Sequence, residues 1–352
     1  MNKIIPTAKK GTPAISGAKA VGEPISTDMV RLAEIEFTDL IMSANGVCLM
    51  RGVDTPGNGP LVNINDNYIE DINDLRVLCI QKGQYENEFF VDHDHVRYRV
   101  SVINDLDGTW YALRKSKTVI PPINKLGFPR PVVQHLGRLA TKKGLIILAG
   151  ATGQGKTTTA YSLLNAYLHS YGNIAVTIED PPEMMLNGPR GQFGHCFQLK
   201  LEPDETFGDA LERSMRYTPK YILLGEIRRA HDASQALRAA ISGHLVLTTI
   251  HAGNVIEAIN SILMLTARAD DNIGFAREQL ANGLAGVIHQ QLNTQRGRDG
   301  KAYKSLKTEM LFVGNHAGIR SMIREGDTSQ LGTFIEQQKS RIAADKEPVE
   351  FD

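Results

Sequence analysis

The clearest periodicity lies between Val96 and Val102. Val96, Tyr98, Val100 and Val102 alternate with Arg97, Arg99 and Ser101, which predicts a strand with one buried and one polar face. Asp107-Gly108 is a turn signal, and Trp110 to Leu113 reads as the return strand of a hairpin. Beyond about Leu126 the grammar changes. Leu145–Leu148, Ile174–Ile178, Tyr221–Leu224 and Leu245–Ile250 are short runs apolar at every position, separated by helical patterns. Such runs predict strands buried on both faces, as in a parallel sheet covered by helices. A helix is expected from about Gly155 to Tyr171. The fold class is therefore α/β, with a smaller α+β domain before it. The expected organisation is a disordered tail over 1–27, rich in Gly, Pro, Ala, Ser and Lys, a strand-rich domain over 28–116, a Pro-stiffened linker over 117–125, an α/β domain over 126–340 and a flexible end over 341–352.

Composition narrows the function classes. The 352 residues are 42% hydrophobic and 22% charged, ordinary for a globular protein and long enough for two cores. Lys plus Arg and Asp plus Glu both number 39. A zero balance makes a nucleic-acid partner unlikely, since phosphate contacts need a basic excess. Cys48, Cys79 and Cys196 are scattered, which predicts reduced thiols. His195 beside Cys196 is at most half a metal site, because no second pair accompanies it. No run of about 18 apolar residues exists, so no span is expected. Lys9, Lys10 and Lys19 stand without an apolar core, so no secretory signal is expected either.

The chemistry concentrates at Gly150-Ala151-Thr152-Gly153-Gln154-Gly155-Lys156-Thr157, followed by Thr158. A strand leads into this Gly-x-x-x-x-Gly-Lys-Thr and a helix leaves it, the context a phosphate-binding loop requires. Glycines allow the backbone to turn several N–H groups inward, and the helix N-terminus adds positive potential. Lys156 can bridge the β- and γ-phosphates, and the Thr157 hydroxyl can ligate Mg²⁺. ATP and Mg²⁺ are the expected ligands.

A hydrolase of this kind also needs acids. Glu179-Asp180 follows one apolar strand and Glu226 closes another, where ligands bind in open α/β sheets. An Asp usually closes the second strand and holds the metal, but Gly225 stands there. The metal shell then consists of Thr157 and waters, with Glu179 at second hand. Glu226 is left as general base or water-orienting group, its alternative being an acidic cap of the next helix. Asp180 is read as fixing the Pro181-Pro182 turn. His251 ends a third strand and His244 precedes it; both are expected to sense a γ-phosphate.

Together these residues resemble the secretion and type IV pilus traffic ATPase superfamily, and within it the pilus-retraction branch. The resemblance runs from about Thr38 to Gln338. Its boxes are Gly150–Thr157, Thr177–Glu183, Tyr221–Arg228 and Ser242–His251, in the family's order. It implies a RecA-like P-loop domain preceded by a PAS-like one. It also implies that Arg99, Arg114 and Arg97 reach ATP across a domain or subunit boundary. It further implies a homohexameric cytoplasmic motor working on an inner-membrane pilus or secretion platform, peripheral to the membrane through that partner. Gly318–Glu325 is similar to a retraction-branch signature; read alone it is an amphipathic helix burying Ile319, Met322 and Ile323.

Several positions depart from the pattern. Arg229 stands for the usual Asp, Pro182 for Ile or Val, and Ala252-Gly253-Asn254 for Thr-Asn. His195-Cys196-Phe197-Gln198 occupies the place of a Gln-Arg-Glu-Val segment. A conjugation or type IV secretion ATPase stays open as an alternative, as does a non-hydrolysing assembly scaffold. A nucleic-acid translocase is disfavoured by charge, and a GTPase by the absence of Asn-Lys-x-Asp after the loop.

Overall fold

The computed structural model describes residues 31–53, 61–63, 68–116, 119–202, 204–296 and 302–350. The expected tail over 1–27 lies outside them. The chain separates into two compact units with the boundary between Lys115 and Ser116.

The first unit carries six strands: β1 (Asp39–Ser43), β2 (Cys48–Arg51), β3 (Leu61–Asn63), β4 (Glu88–His93), β5 (Val96–Asn104) and β6 (Thr109–Lys115), with helix α1 (Ile69–Gly83) between β3 and β4. They form one antiparallel sheet in the order β3-β2-β1-β6-β5-β4. The alternation in β5 works as its pattern dictates. Tyr98 and Val100 are fully buried and meet Ile72, Leu75 and Cys79 of α1 in one core. The β5–β6 turn is closed by Asp105, whose carboxylate accepts the N–H groups of Asp107 and Gly108.

The second unit is built on an eight-stranded sheet. Its strands are β7 (Gly144–Ala149), β8 (Asn173–Ile178), β9 (Gly188–Arg190), β10 (Gly194–Leu199), β11 (Tyr221–Glu226), β12 (Leu245–Ile250), β13 (Leu284–Arg296) and β14 (Ala302–Phe312). The order is β14-β13-β7-β12-β11-β8-β10-β9, parallel from β13 to β10 with an antiparallel strand at each edge. The four apolar runs are the four central strands. Period-two alternation splits each between two cores: Leu145, Ile147 and Ala149 enter one, Ile146 and Leu148 the other. Helices α4 (Phe207–Met215), α5 (Ala230–Ile241), α6 (Val255–Asp270), α7 (Ile273–Gly283) and α8 (Ala317–Glu325) supply the first core. Helices α2 (Arg130–Leu139) and α3 (Lys156–Tyr171) supply the second.

Three sequence expectations are revised. Residues 119–125 of the expected linker belong to the second unit: Ile120 and Ile123 pack on the second core, and the Pro121 carbonyl accepts the Ser162 hydroxyl at 2.6 Å. The C-terminal stretch is also held. Helix α9 (Gly332–Ala343) runs past residue 341, Val349 packs on the second core, and Glu347 pairs with Arg138 at 2.7 Å. In α8, Ile319 and Ile323 are buried but Met322 only partly. Arg320 of α8 donates to the Gly314 carbonyl at 2.8 Å and to that of Ala281 near the end of α7, while Arg324 pairs with Glu278 at 2.9 Å. These arginines clamp α8 onto α7.

Candidate active site

Parallel strands bring their carboxyl ends to one edge of the sheet, and there the second unit gathers its chemistry. The chain leaves β7 into Gly150–Gly155 and enters α3 at Lys156. Gly150, Gly153 and Gly155 have φ of 145°, 78° and 82°, a region that side chains disfavour. At Gly150 sterics add a second reason, because a Cβ would lie 2.5 Å from the Gln290 carbonyl oxygen. The loop is braced from β13: the Gln290 amide donates to the Gln154 carbonyl at 2.8 Å, and the Gln154 side chain accepts the Leu292 N–H at 2.5 Å. Lys156 folds back and donates to the carbonyls of Gly150 at 2.8 Å and Ala151 at 2.9 Å. Ala151, Thr152 and Gly153 form the exposed rim, and Thr157 and Thr158 occupy the first turn of α3. Burial lowers the Lys156 ammonium from its ordinary pKa, with Glu226 and Glu183 pulling the other way.

Glu226 is the last residue of β11, and its register against β12 shifts between Leu224 and Glu226. This bulge sets Gly225 out of pairing, its carbonyl accepting the Thr248 hydroxyl at 3.0 Å. The Glu226 carboxylate lies 3.2 Å from His251 Nε2 and 2.7 Å from the Arg228 guanidinium. Burial opposes its charge, but Arg228, His251 and Lys156 outweigh that and hold it below the usual carboxylate range. Glu179, just past β8, differs. It is almost wholly buried, accepts a short hydrogen bond from Tyr161 of α3, and is pushed up to about 8 by desolvation, with Glu183 adding to the rise. A Cβ at Gly225 would stand 3.4 Å from Glu179 Cγ, in ordinary van der Waals contact, so the two positions are direct neighbours.

The loop, Glu179, Glu226 and His251 therefore share one edge of the sheet. His244 does not. It precedes β12, at the strand's opposite end, where Nδ1 meets the Pro219 carbonyl at 2.5 Å. Six residues of strand, about 20 Å, separate it from His251. Proximity in sequence misleads here because a strand carries its two ends to opposite edges. Arg99 and Arg114 belong to the first unit. They face each other across β5 and β6, and such a pair of like charges is unfavourable unless compensated. Arg99 pairs with Glu88 at 2.9 Å and Arg114 with Asp39 at 2.8 Å. Arg97 pairs with Asp92 at 2.6 Å.

Other residues emerge only from the structure. Arg228 was visible merely as part of a box, and Tyr161 and Gln198 had no periodic or spacing signal. Asn254 explains one departure from the family pattern: it caps α6 by accepting the Glu257 N–H at 2.8 Å, while Glu257 accepts the Gly253 N–H at 2.7 Å. Among the described residues no group of three or more His, Cys, Asp or Glu could hold a metal ion. Among them also, no helix is long and apolar enough to cross a membrane.

Comparison with known proteins places the chain in a family. Residues 83–334 match the family described as Type II/IV secretion system protein. The uncharacterized protein YggR of Escherichia coli is 32% identical over 75% of this chain and 76% of its own. The type IV pilus ATPase PilU of Pseudomonas aeruginosa is 31% identical over 74% of this chain and 68% of its own. Among solved structures, the pilus retraction motor PilT with bound ADP superposes with a TM-score of 0.71 at 28% identity, over 86% of this chain and 87% of that one. The ATPase DotB of Legionella pneumophila, at 20% identity and a TM-score of 0.66 over 86% of this chain and 84% of that one, shares the fold. The matched span, the ordered boxes and the shared architecture make this chain a member of the type II/IV secretion and pilus traffic ATPase family.

Proposed function

We propose that the chain is a motor ATPase that hydrolyses Mg-ATP and drives a pilus or secretion machine, most like a type IV pilus retraction motor. The observation that carries this reading is Glu226. A bulge sets it at the sheet edge, ionised, between His251 and Arg228 and in the field of Lys156. An ionised carboxylate there can orient and accept a proton from an attacking water.

The cradle fits a polyphosphate. Three glycines with positive φ and the N-terminus of α3 form an anion concavity, and the Lys156 ammonium needs only to leave two carbonyls to reach a phosphate. Thr157 would hold Mg²⁺ together with waters. Bound there, the metal would neutralise charge developing on the β- and γ-phosphate oxygens. His251, 3.2 Å from the Glu226 carboxylate, can report the γ-phosphate state to the start of α6.

In this reading the second unit is a RecA-like core and the first a PAS-like domain. Arg99 and Arg114 then complete the site across a domain or subunit boundary, within a homohexamer at an inner-membrane platform on the cytoplasmic side. PilU and PilT, described as a pilus ATPase and a pilus retraction motor, support the reading as a pilus motor. The test is ATP turnover by purified protein. Lys156→Ala should abolish nucleotide binding. Glu226→Gln should bind nucleotide yet lose on the order of 10²–10⁴-fold in kcat. Wild-type turnover in either variant rules the reading out.

A further inference from the structure

Gln198 of β10 has its hydrogen-bonding capacity filled in one orientation only. Its Oε1 accepts two backbone N–H groups, from Leu186 at 2.7 Å and Asn187 at 2.8 Å. An amide nitrogen cannot accept those hydrogens, so O and N are distinguished by the network. Its Nε2 donates to the Met184 carbonyl at 3.0 Å and to the Tyr161 hydroxyl oxygen at 3.1 Å. Tyr161 is fully buried. Having accepted from Gln198, its hydroxyl must direct its own hydrogen elsewhere, and Glu179 Oε2 is the acceptor it meets. The direction of every bond follows: Gln198 to Tyr161, Tyr161 to Glu179.

We propose that Tyr161 and Gln198 are positioning residues for Glu179, tying its Oε2 and leaving Oε1 as the oxygen available to the nucleotide site. The inference rests on reading Glu179 as a site carboxylate. The groups facing Glu179 are Tyr161 of α3, Thr177 of β8, Glu183 from the segment after β8, Cys196 of β10 and the bare Gly225 of β11. Tyr161 donates to it and is the larger of two hydrogen-bonding influences, Thr177 acting in the same sense, and donation favours the ionised form against burial and Glu183. Loss of the hydroxyl therefore frees the carboxyl to rotate and makes it harder to ionise.

Tyr161→Phe keeps the ring that fills the core and removes only the donor. Three variants decide the matter: Tyr161→Phe, Glu179→Gln and the double. In Tyr161→Phe, kcat should fall about threefold to tenfold, the worth of a buried hydrogen bond, with KM changed less than about twofold. The double variant should match Glu179→Gln alone, since Tyr161 acts through Glu179. Infrared spectroscopy supplies a readout apart from turnover. The carbonyl band of a protonated buried carboxyl, absent in Glu179→Gln, should shift in Tyr161→Phe as Oε2 loses its donor. An unshifted band, or kcat losses that add in the double variant, overturns the proposal. Wild-type turnover that survives Lys156→Ala overturns the ATPase reading instead, and the infrared comparison still tests the tie on Glu179.

Discussion

Two glutamates at one sheet edge hold opposite charge states, and their environments say why. Glu226 sees Arg228, His251 and Lys156 and stays ionised; Glu179 sees a dry pocket and another carboxylate and is neutral below about pH 8. The consequence for stability can be signed. An acid whose folded pKa is raised binds a proton in the folded state that the unfolded chain has already lost, between the ordinary glutamate range and about pH 8. Stability from Glu179 is therefore fully present at low pH, falls as pH rises through that window, and levels off above it. Glu179→Gln should flatten this part of the profile and be more stable than wild type at pH 8.5. Thermal melts of both proteins from pH 5 to 8.5 check this, and parallel curves would count against a raised Glu179.

At the scale of elements, a local cap and a long-range brace play different parts. Helix α4 opens with a reciprocal cap: the Thr206 hydroxyl accepts the Asp209 N–H, and the Asp209 carboxylate accepts the Thr206 N–H at 3.0 Å. Thr206→Ala should cost about 1 kcal/mol, or about 2–4 °C in a unit of this size, without touching nucleotide affinity. The β13 brace on the phosphate loop is expected to behave otherwise. Gln290→Leu removes the donor to the Gln154 carbonyl, leaves that carbonyl without it, and should cost about 1–3 kcal/mol. Because the brace holds the loop itself, nucleotide affinity should drop together with stability. A calorimetric titration beside a melt separates the two variants.

For the whole molecule the division into two units matters most. Phosphate-loop residues and acids sit in one unit, and the arginines expected to complete the site sit in the other, already paired with Glu88 and Asp39. Asp39 is buried between Arg114 and Arg51. Its desolvation is outweighed by these two guanidinium groups, which hold it below the usual carboxylate range. If Arg114 acts across a boundary between copies, turnover per chain should rise with protein concentration. Arg114→Ala should then lose on the order of 10³-fold in kcat while still binding nucleotide. A specific activity independent of concentration, with a fully active Arg114→Ala, contradicts assembly-dependent catalysis.

Much of this is legible along the chain because it depends on neighbours in sequence. The Gly150–Thr157 loop, the central strands and the β5–β6 hairpin follow from local periodicity and glycine freedom. The ends of β8, β11 and β12 mark Glu179, Glu226 and His251 because parallel strands must bring their carboxyl ends together. Tertiary structure decides what depends on distant partners. The bulge that aims Glu226, the β13 brace on the loop and the Gln198–Tyr161–Glu179 chain are of this kind. Each is a contact between residues far apart in sequence, or a burial that sets a protonation state. Such terms depend on which surfaces meet, and no residue pattern along one segment carries that information.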